Sequence, residues 1–319
     1  MEDVRKSKAV RKVVEMAGVK KGDNVLILAD YNTISVGEKV VSQVYQIDAY
    51  PIFMLVPPLK VQGEELPEAV TQMAKLVNVI IAPMTTNLAH TRTRYEAQKL
   101  GIPVMVLGEV SEEVLTSEAF DADFHAIRPR VEKLAALFTK AKVARVTSPK
   151  GTDITISIEG RNGRALHGFA QKSEIGAPPG IESSIAPVEG TSEGKIVADV
   201  SIAGLGGLVQ EPVVINVHKG FANEISGGVE AKNFRELMEN LKDPNVYNIG
   251  ELGVGMNPKC TPKGNMAEDE ASQGVIHIAL GTSVTGGKVK AAGHYDTLIS
   301  KGTLELDGVA VVKDGELVF

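Results

Sequence analysis

Histidine and carboxylate side chains are concentrated in the last third of the chain. Glu251 lies in GELGVGMNP, His277 in GVIHIALG, and His294 and Asp296 in GHYD. Further upstream, the stretch PPGIESSIAPVEG contributes Glu182. Imidazole and carboxylate groups are the ligands by which proteins hold divalent first-row metals such as zinc. Two histidines and three carboxylates would suit one ion, or two ions that share a bridging carboxylate, so the sequence predicts a metal centre.

Each of these residues also has an ordinary structural explanation when it is considered alone. His294 and Asp296 would face the same side of an extended strand, but such pairs are common. His277 lies in an apolar strand pattern that is typical of a buried histidine with a backbone partner. Glu251 lies among glycine and apolar residues, where a bound cation would offset the cost of burying a carboxylate. From the acidic run 268–270, Glu270 is predicted to orient a ligand. The metal hypothesis therefore depends on the joint occurrence of these residues.

Length, composition and charge limit the class of protein. The chain has 319 residues, which suggests about two domains, and its 43% hydrophobic content can form ordinary cores. The net charge of -6 argues against nucleic acid or an anionic membrane as the main partner. The charged N-terminus lacks the apolar core of a signal peptide, and no apolar run could span a bilayer. The single cysteine, Cys260, excludes an internal disulfide. We therefore predict a soluble cytoplasmic protein; a small peptide or another small molecule as its substrate is implied only by the resemblance described below.

The first half of the sequence alternates strands with helices. Continuous apolar runs predict buried strands at 24–29, 50–56, 78–82 and 103–108. Helical spacing predicts helices at 2–17, 35–47, 66–76, 91–100 and 128–141. This order predicts an α/β fold with a doubly wound parallel sheet in an N-terminal domain, residues 1–145. The first strand-to-helix turn, ADYNTISVGEK, lacks the glycine pattern of a nucleotide site, so we do not expect nucleotide binding there.

Residues 146–319 have the pattern of a β-rich α+β domain that would carry the metal site. Alternation in TDITISI predicts a half-buried strand at 152–158. Further strands are predicted at 195–202, 211–218, 221–226, 274–280 and 303–318, with one helix at 229–241. The segments 172–194 and 256–273 are predicted to be long loops, and such loops inside compact domains are often functional.

The order of PPGIE, APVEGTSEG, IGELGVGMNP, GVIHIALG and GHYD resembles the metallo-aminopeptidases of the aminopeptidase T family. With GTDITISIEGR, the resemblance covers most of residues 80–319. It implies an N-terminal α/β domain, a homodimer and a C-terminal centre of two ions, zinc, cobalt or manganese. Carried over by motif, the metal ligands would be Glu182, Glu251, His277, His294 and Asp296.

This resemblance implies a hydrolase that releases N-terminal amino acids from peptides through a metal-activated water. Asp296 or Glu251 would bridge the ions, and Glu182 or Glu251 would take part in catalysis, with Glu182 as general base by family analogy. One position departs from the family, because Val284 stands where the family has a tyrosine associated with the metal centre.

Two other stretches, DPNVYNIGELGVGMNP (243–258) and TGGKVKAAGHYD (285–296), resemble 2,5-dihydroxypyridine 5,6-dioxygenase, a ring-cleaving non-haem iron enzyme. This resemblance implies Fe(II) on His294 and Asp296, with a histidine in place of Glu251. His277 could restore the two-histidine, one-carboxylate set. The extra carboxylates Glu182 and Glu251 favour the hydrolase as the main prediction, with the dioxygenase as its alternative. A metal-stabilised module without catalytic activity is a third hypothesis, which Val284 supports.

Overall fold

The computed structural model describes residues 2–60, 64–108, 110–172, 174–284 and 286–319. The chain forms two compact units, one made of Met1–Ala122 and Leu166–Pro179, the other of Asp123–Ala165 and Gly180–Phe319. The first contains a parallel sheet and the second contains antiparallel sheets, which confirms the predicted fold class. The predicted domains 1–145 and 146–319 stay a prediction. In the described part of the chain, no helix combines the length and apolarity that crossing a membrane requires.

The first unit is built on a four-stranded parallel sheet with the strand order β2-β1-β3-β4. Its strands are β1 (Asn24–Asp30), β2 (Tyr50–Val56), β3 (Val79–Met84) and β4 (Val104–Gly108). Its helices are α1 (Glu2–Met16), α2 (Ile34–Gln46), α3 (Glu68–Ala74) and α4 (Arg92–Lys99). Gly37 of α2 approaches Ala29 on one face of β1, while Leu26 and Leu28 join Val70 of α3 in a core on the other. Both faces are therefore covered at β1, which explains its continuous apolar run. The edge strand β2 was also predicted to be buried, but Phe53 and Leu55 are exposed.

The described residues of the second unit form two sheets and three α-helices. The helices are α5 (Phe124–Lys140), α6 (Val229–Asn240) and α7 (Met266–Asp269). An eight-stranded antiparallel sheet has the order β11-β10-β9-β6-β5-β15-β16-β17. Its strands are β5 (Val143–Thr147), β6 (Asp153–Ser157), β9 (Glu193–Ala198), β10 (Val213–His218), β11 (Phe221–Ser226), β15 (Thr303–Leu306), β16 (Val309–Lys313) and β17 (Glu316–Leu317).

A five-stranded sheet, with the order β14-β13-β12-β8-β7, carries the candidate site. Its strands are β7 (Arg164–Leu166), β8 (Glu182–Ile185), β12 (Ile249–Gly255), β13 (Ile276–Gly281) and β14 (His294–Ile299). Strands β8, β12, β13 and β14 are antiparallel to their neighbours along this row.

Several elements differ from the sequence predictions, among them the strands β5 and β7, which were not predicted. Residues 182–185 form a strand inside the predicted loop 172–194, and residues 249–255 form a fully buried strand that was not predicted. The second has three glycines, which weaken the sequence pattern of a strand. The predicted strand 303–318 is divided into β15, β16 and β17, because left-handed backbone at Asp307-Gly308 and Asp314-Gly315 makes two tight turns.

Candidate metal centre

The register of three strands places Glu251, Asp296 and His294 on one face of the five-stranded sheet. Ala279 of β13 is paired with Glu251 of β12 on one side and with Asp296 of β14 on the other. Paired residues in an antiparallel ladder point to the same face, as do residues two positions apart along a strand. His294 precedes Asp296 by two positions, so its side chain joins the same face.

The same rule brings His277 and Glu182 to this face. His277 is paired with Gly253, two residues after Glu251, and Glu182 is paired with Gly255, two residues further. All five residues predicted from the sequence are therefore on one face, within four adjacent strands. These five residues converge because of this strand register, which cannot be read from the sequence alone.

Small residues occupy the other central positions of this face. A Cβ added to Gly253 would lie 2.0 Å from His277 Nε2, so the imidazole occupies the space that a larger residue would fill. The next position along β13 is Ala279, between Glu251 and Asp296. The opposite face is apolar and buried, with Leu252, Val254, Ile276, Ile278, Leu280 and Ile299. The sheet is thus apolar on one face and carries the polar cluster on the other.

Replacing Gly253 with alanine is expected to displace the His277 ring, because the new methyl group would overlap Nε2. Overpacking of this kind costs about 1–3 kcal/mol. Urea unfolding should therefore show a lower midpoint, and turnover should fall in the same variant. Wild-type stability together with wild-type turnover would show that the His277 position is not constrained by this glycine.

Each histidine of the cluster faces a carboxylate. Glu182 Oε2 is 3.2 Å from His277 Nε2, and Glu251 Oε2 is 2.9 Å from His294 Nε2. His294 Nε2 is also 3.6 Å from Asp296 Oδ1. The side chain of His294 is 22% exposed, whereas that of His277 is 1% exposed. His294 is therefore the more accessible of the two histidines, and its end of the cluster is called the open end.

Two sets of three residues have the arrangement of a cation site. One is Glu251, His294 and Asp296, and the other is Glu182, Glu251 and His277; in each, the possible ligand atoms lie within 4.8 Å of one another. Among the described residues, no such set contains both histidines. Three polar atoms of the cluster are buried and have no hydrogen-bond partner within the described part of the chain: Glu251 Oε1, Asp296 Oδ1 and His277 Nδ1. Buried polar atoms normally have one, so this donor set fits a divalent cation.

A backbone carbonyl fixes the orientation of His294. Its Nδ1 lies 2.7 Å from Thr282 O. A carbonyl oxygen can only accept, so Nδ1 carries a proton and donates it. In the neutral ring, the lone pair is then on Nε2, which faces Glu251 and Asp296. Metal-binding histidines are commonly oriented by such a second hydrogen bond. A backbone carbonyl has no signature in the sequence, so sequence reasoning missed this contact.

Without a cation, the carboxylates hold both histidines in the charged form. Burial lowers the pKa of His277, but the hydrogen bond and charge of Glu182, with Asp296, outweigh it and raise the pKa to about 10. Burial likewise opposes the charged form of His294, yet Asp296 and Glu251 raise its pKa well above the usual value. Burial would raise the pKa of Glu182 and of Asp296. However, His277 lowers the pKa of Glu182 and His294 lowers that of Asp296, so both stay below their ordinary values.

Two further residues belong to the electrostatic surroundings of the cluster. Burial, followed by the negative charges of Asp296 and Glu182, raises the pKa of Glu270 well above its usual range. Its predicted role in orienting a ligand stays a prediction. Arg164 of β7 was not predicted, and its Nη1 is 3.9 Å from Glu182 Oε1. In the sequence, nothing but its place in the short strand β7 could have indicated Arg164.

The fold and site define an α/β protein with a histidine–carboxylate cluster on one sheet face that has the arrangement of a cation site. The family described as 2,5-dihydroxypyridine 5,6-dioxygenase (NicX) has a family model that matches residues 6–319. Because this match covers nearly the whole chain, the chain belongs to that family.

Individual relatives agree with the family assignment. The 2,5-dihydroxypyridine 5,6-dioxygenase of Pseudomonas putida KT2440 is 26% identical over 250 residues, which are 73% of this chain and 69% of the relative. The solved structure of the Pseudomonas putida KT2440 2,5-dihydroxypyridine dioxygenase has a TM-score of 0.86 and 22% identity, and covers 98% of this chain and 96% of its own. Wild-type AmpT from Thermus thermophilus has a TM-score of 0.75 and 17% identity over 100% of both chains. At these identities, the two structures show a shared fold alone.

The main prediction, a peptide-cleaving hydrolase of the aminopeptidase T type, is wrong. The family match identifies the dioxygenase family instead, and the likeness to AmpT is one of fold. The hydrolase prediction relied on the extra carboxylates Glu182 and Glu251. In the structure these carboxylates pair with His277 and His294, so their presence does not require a hydrolytic centre. The keywords that followed from it, aminopeptidase and zinc metalloprotease, are wrong for the same reason. The homodimer stays a prediction.

Proposed function

We propose that this chain is an iron(II)-dependent dioxygenase that cleaves the ring of a hydroxylated pyridine or a similar small aromatic molecule. Membership of the dioxygenase family supports this reaction class. The observation that carries the proposal is the convergence of Glu251, His294 and Asp296, whose possible ligand atoms lie within 4.8 Å of one another at the open end of the cluster. Non-haem Fe(II) oxygenases typically use two histidines and one carboxylate with open positions, and this set offers the same ligand types as one histidine and two carboxylates.

The proposal assigns the iron to Glu251, His294 and Asp296. When bound, iron supplies the redox chemistry that lets dioxygen react with an aromatic substrate. The alternative set of His277, His294 and Asp296 has less support, because the two histidines share no set of converging ligand atoms among the described residues. Glu182 and His277 then have a different role next to the iron ligands.

We infer that His277, held by Glu182, acts as a proton donor and acceptor next to the iron ligands while the substrate is bound. The 3.2 Å contact between Glu182 Oε2 and His277 Nε2 fixes the ring and stabilises its charged form. His277 also lies near one of the iron ligands, because a nitrogen of its ring is within 4.8 Å of a carboxylate oxygen of Glu251. Proton transfer by a positioned side chain typically contributes 10²–10⁴-fold to rate.

An oxygen electrode tests the proposed function directly. The iron-loaded protein should consume oxygen with 2,5-dihydroxypyridine or a related dihydroxylated aromatic, and much less with pyridines that carry one hydroxyl group. Reactions without protein correct for autoxidation. Oxygen uptake that never exceeds these blanks across a panel of dihydroxypyridines and dihydroxybenzenes would refute the proposal.

Metal binding should release protons at neutral pH. The raised pKa of His294 means that its imidazole is protonated at pH 7 in the cation-free protein, and a metal binds only the neutral ring. Affinity should therefore rise with pH and fall as the pH is lowered, with about one proton released per ion from His294. Calorimetric titration in buffers with different ionisation enthalpies measures this number. The His277→Gln variant should release the same number, since His277 is not a ligand in this proposal. Metal binding without proton release would contradict the assignment.

A further inference from the structure

The segment 243–248, with the sequence DPNVYN, contributes no side chain to the cluster, although it lies within one of the two stretches that resemble the dioxygenases. Asp243 caps a short 3-10 helix, Pro244–Tyr247, and Asn248 follows it. Asn248 is only 1% exposed. Strand β12, which carries Glu251, begins at the next residue. The segment also contacts the connection between β13 and β14, which includes Thr282.

Asn248 is bonded to residues 281–283, the end of β13 and the start of that connection, called the outgoing arm. Its backbone oxygen accepts from Gly281 N at 2.7 Å, and its Nδ2 donates to Gly281 O at 3.0 Å. Nδ2 also lies 3.5 Å from Ser283 Oγ. Since Gly281 O can only accept, the amide of Asn248 has one possible orientation. Asn248 therefore contacts the residues on both sides of Thr282.

The same segment is bonded to residues 290–293, called the returning arm, which lie just before His294. Asp243 Oδ2 accepts from Ala292 N at 2.7 Å, and Asn245 Nδ2 donates to Lys290 O at 3.0 Å. Three side chains of six consecutive residues thus bond both arms of one connection.

Thr282 also joins the two arms. Its backbone N–H donates to Gly293 O at 2.8 Å, and its Oγ1 donates to Ala291 O at 2.9 Å. Its carbonyl is the group that accepts from His294 Nδ1 at 2.7 Å. The position of this carbonyl therefore depends on how the two arms are held.

We propose that the segment 243–248 is a clamp that positions the Thr282 carbonyl and, through it, His294 Nε2 towards Glu251 and Asp296. Asn248 is its central positioning residue. The inference deepens the proposed function, because it assigns a role at the same metal centre. Loss of a group that orients a metal ligand typically lowers metal affinity 10–100-fold.

The test uses Co(II), followed by its visible absorption, so that no substrate or turnover is needed. Asn248→Leu removes the donor and also the buried Oδ1, which has no partner in the described structure, so the variant is expected to fold. Its Co(II) affinity should fall at least about 10-fold with a similar melting temperature. Asn216→Leu is the matched control: Asn216 bonds Glu224 on β10 and β11 of the other sheet, and its replacement should leave the affinity unchanged.

Asn245→Ala keeps the test decisive if Asn248→Leu does not fold, because Asn245 is exposed. Its Co(II) affinity should fall in the same direction by about 3-fold, since one of the clamp bonds is lost. Unchanged affinity in a folded Asn248→Leu variant, or in Asn245→Ala if the first variant does not fold, overturns the clamp. If the wild-type protein binds no Co(II), the clamp and the proposed function both fail. If the variants behave as expected but the wild-type protein consumes no oxygen, only the proposed function fails.

Discussion

The His294→Ala variant is expected to lose its iron and nearly all of its activity. His294 is the only histidine in the proposed iron set, and its Nε2 lies 2.9 Å from Glu251 and 3.6 Å from Asp296. A bound metal ion contributes several kcal/mol of transition-state stabilisation, so kcat/KM should fall by at least about 1,000-fold. Elemental analysis of the purified variant, together with oxygen uptake, measures both losses.

His218→Ala provides a matched control, because His218 also pairs with a carboxylate, Glu193, at 3.0 Å but lies at an exposed site on another sheet. This variant should keep wild-type iron content and activity.

His277→Gln should give a different result from His294→Ala. It should keep its iron and lose about 100-fold in kcat, because His277 is assigned to proton exchange and not to metal binding. If His277→Gln also loses its iron, the assignment of ligands is wrong. Iron would then be held by His277, His294 and Asp296, the alternative set that the sequence also allows.

Replacing the metal is also expected to change the rate of oxygen uptake by a very large factor. Removal of metal by a chelator should abolish oxygen uptake, and Fe(II) added under anaerobic conditions should restore it. Zn(II) should bind the same donors yet restore nothing, because it has no redox chemistry to offer dioxygen. Zn(II) added before Fe(II) should therefore inhibit. Restoration of oxygen uptake by Zn(II) would contradict the iron proposal, and so would zinc-dependent cleavage of aminoacyl amides.

The parallel sheet could be predicted from the sequence because burial on both faces leaves a direct pattern. In β1, the residues Val25, Leu26, Ile27, Leu28 and Ala29 are all fully buried. Strand β12 is equally buried but was missed, because Gly253 and Gly255 provide space for His277 and for neighbouring backbone instead of apolar contact. The site needs these glycines, and they interrupt the apolar pattern by which β12 would have been recognised as a strand.

The residue types of the candidate site could be predicted from the sequence. Which histidine lies against which carboxylate could not. Two histidines and three carboxylates in ordered motifs indicated a cation site, and the structure places all five on one face. Whether Glu182 and Glu251 bind two ions or pair with histidines depends on the register of β8, β12, β13 and β14, which involves residues more than a hundred positions apart. Counting ligands could not distinguish these arrangements, and the hydrolase prediction failed for that reason.

The fate of labelled oxygen tests the central claim most directly. Iron-loaded protein, 2,5-dihydroxypyridine or the best substrate of the panel, and ¹⁸O₂ are combined, and the product is analysed by mass spectrometry. If Glu251, His294 and Asp296 hold an iron that lets dioxygen cleave the ring, the ring-opened product should contain both labelled oxygen atoms, and His294→Ala should yield none. A product that takes its new oxygen from water, or an intact ring with no oxygen consumed, would contradict the account.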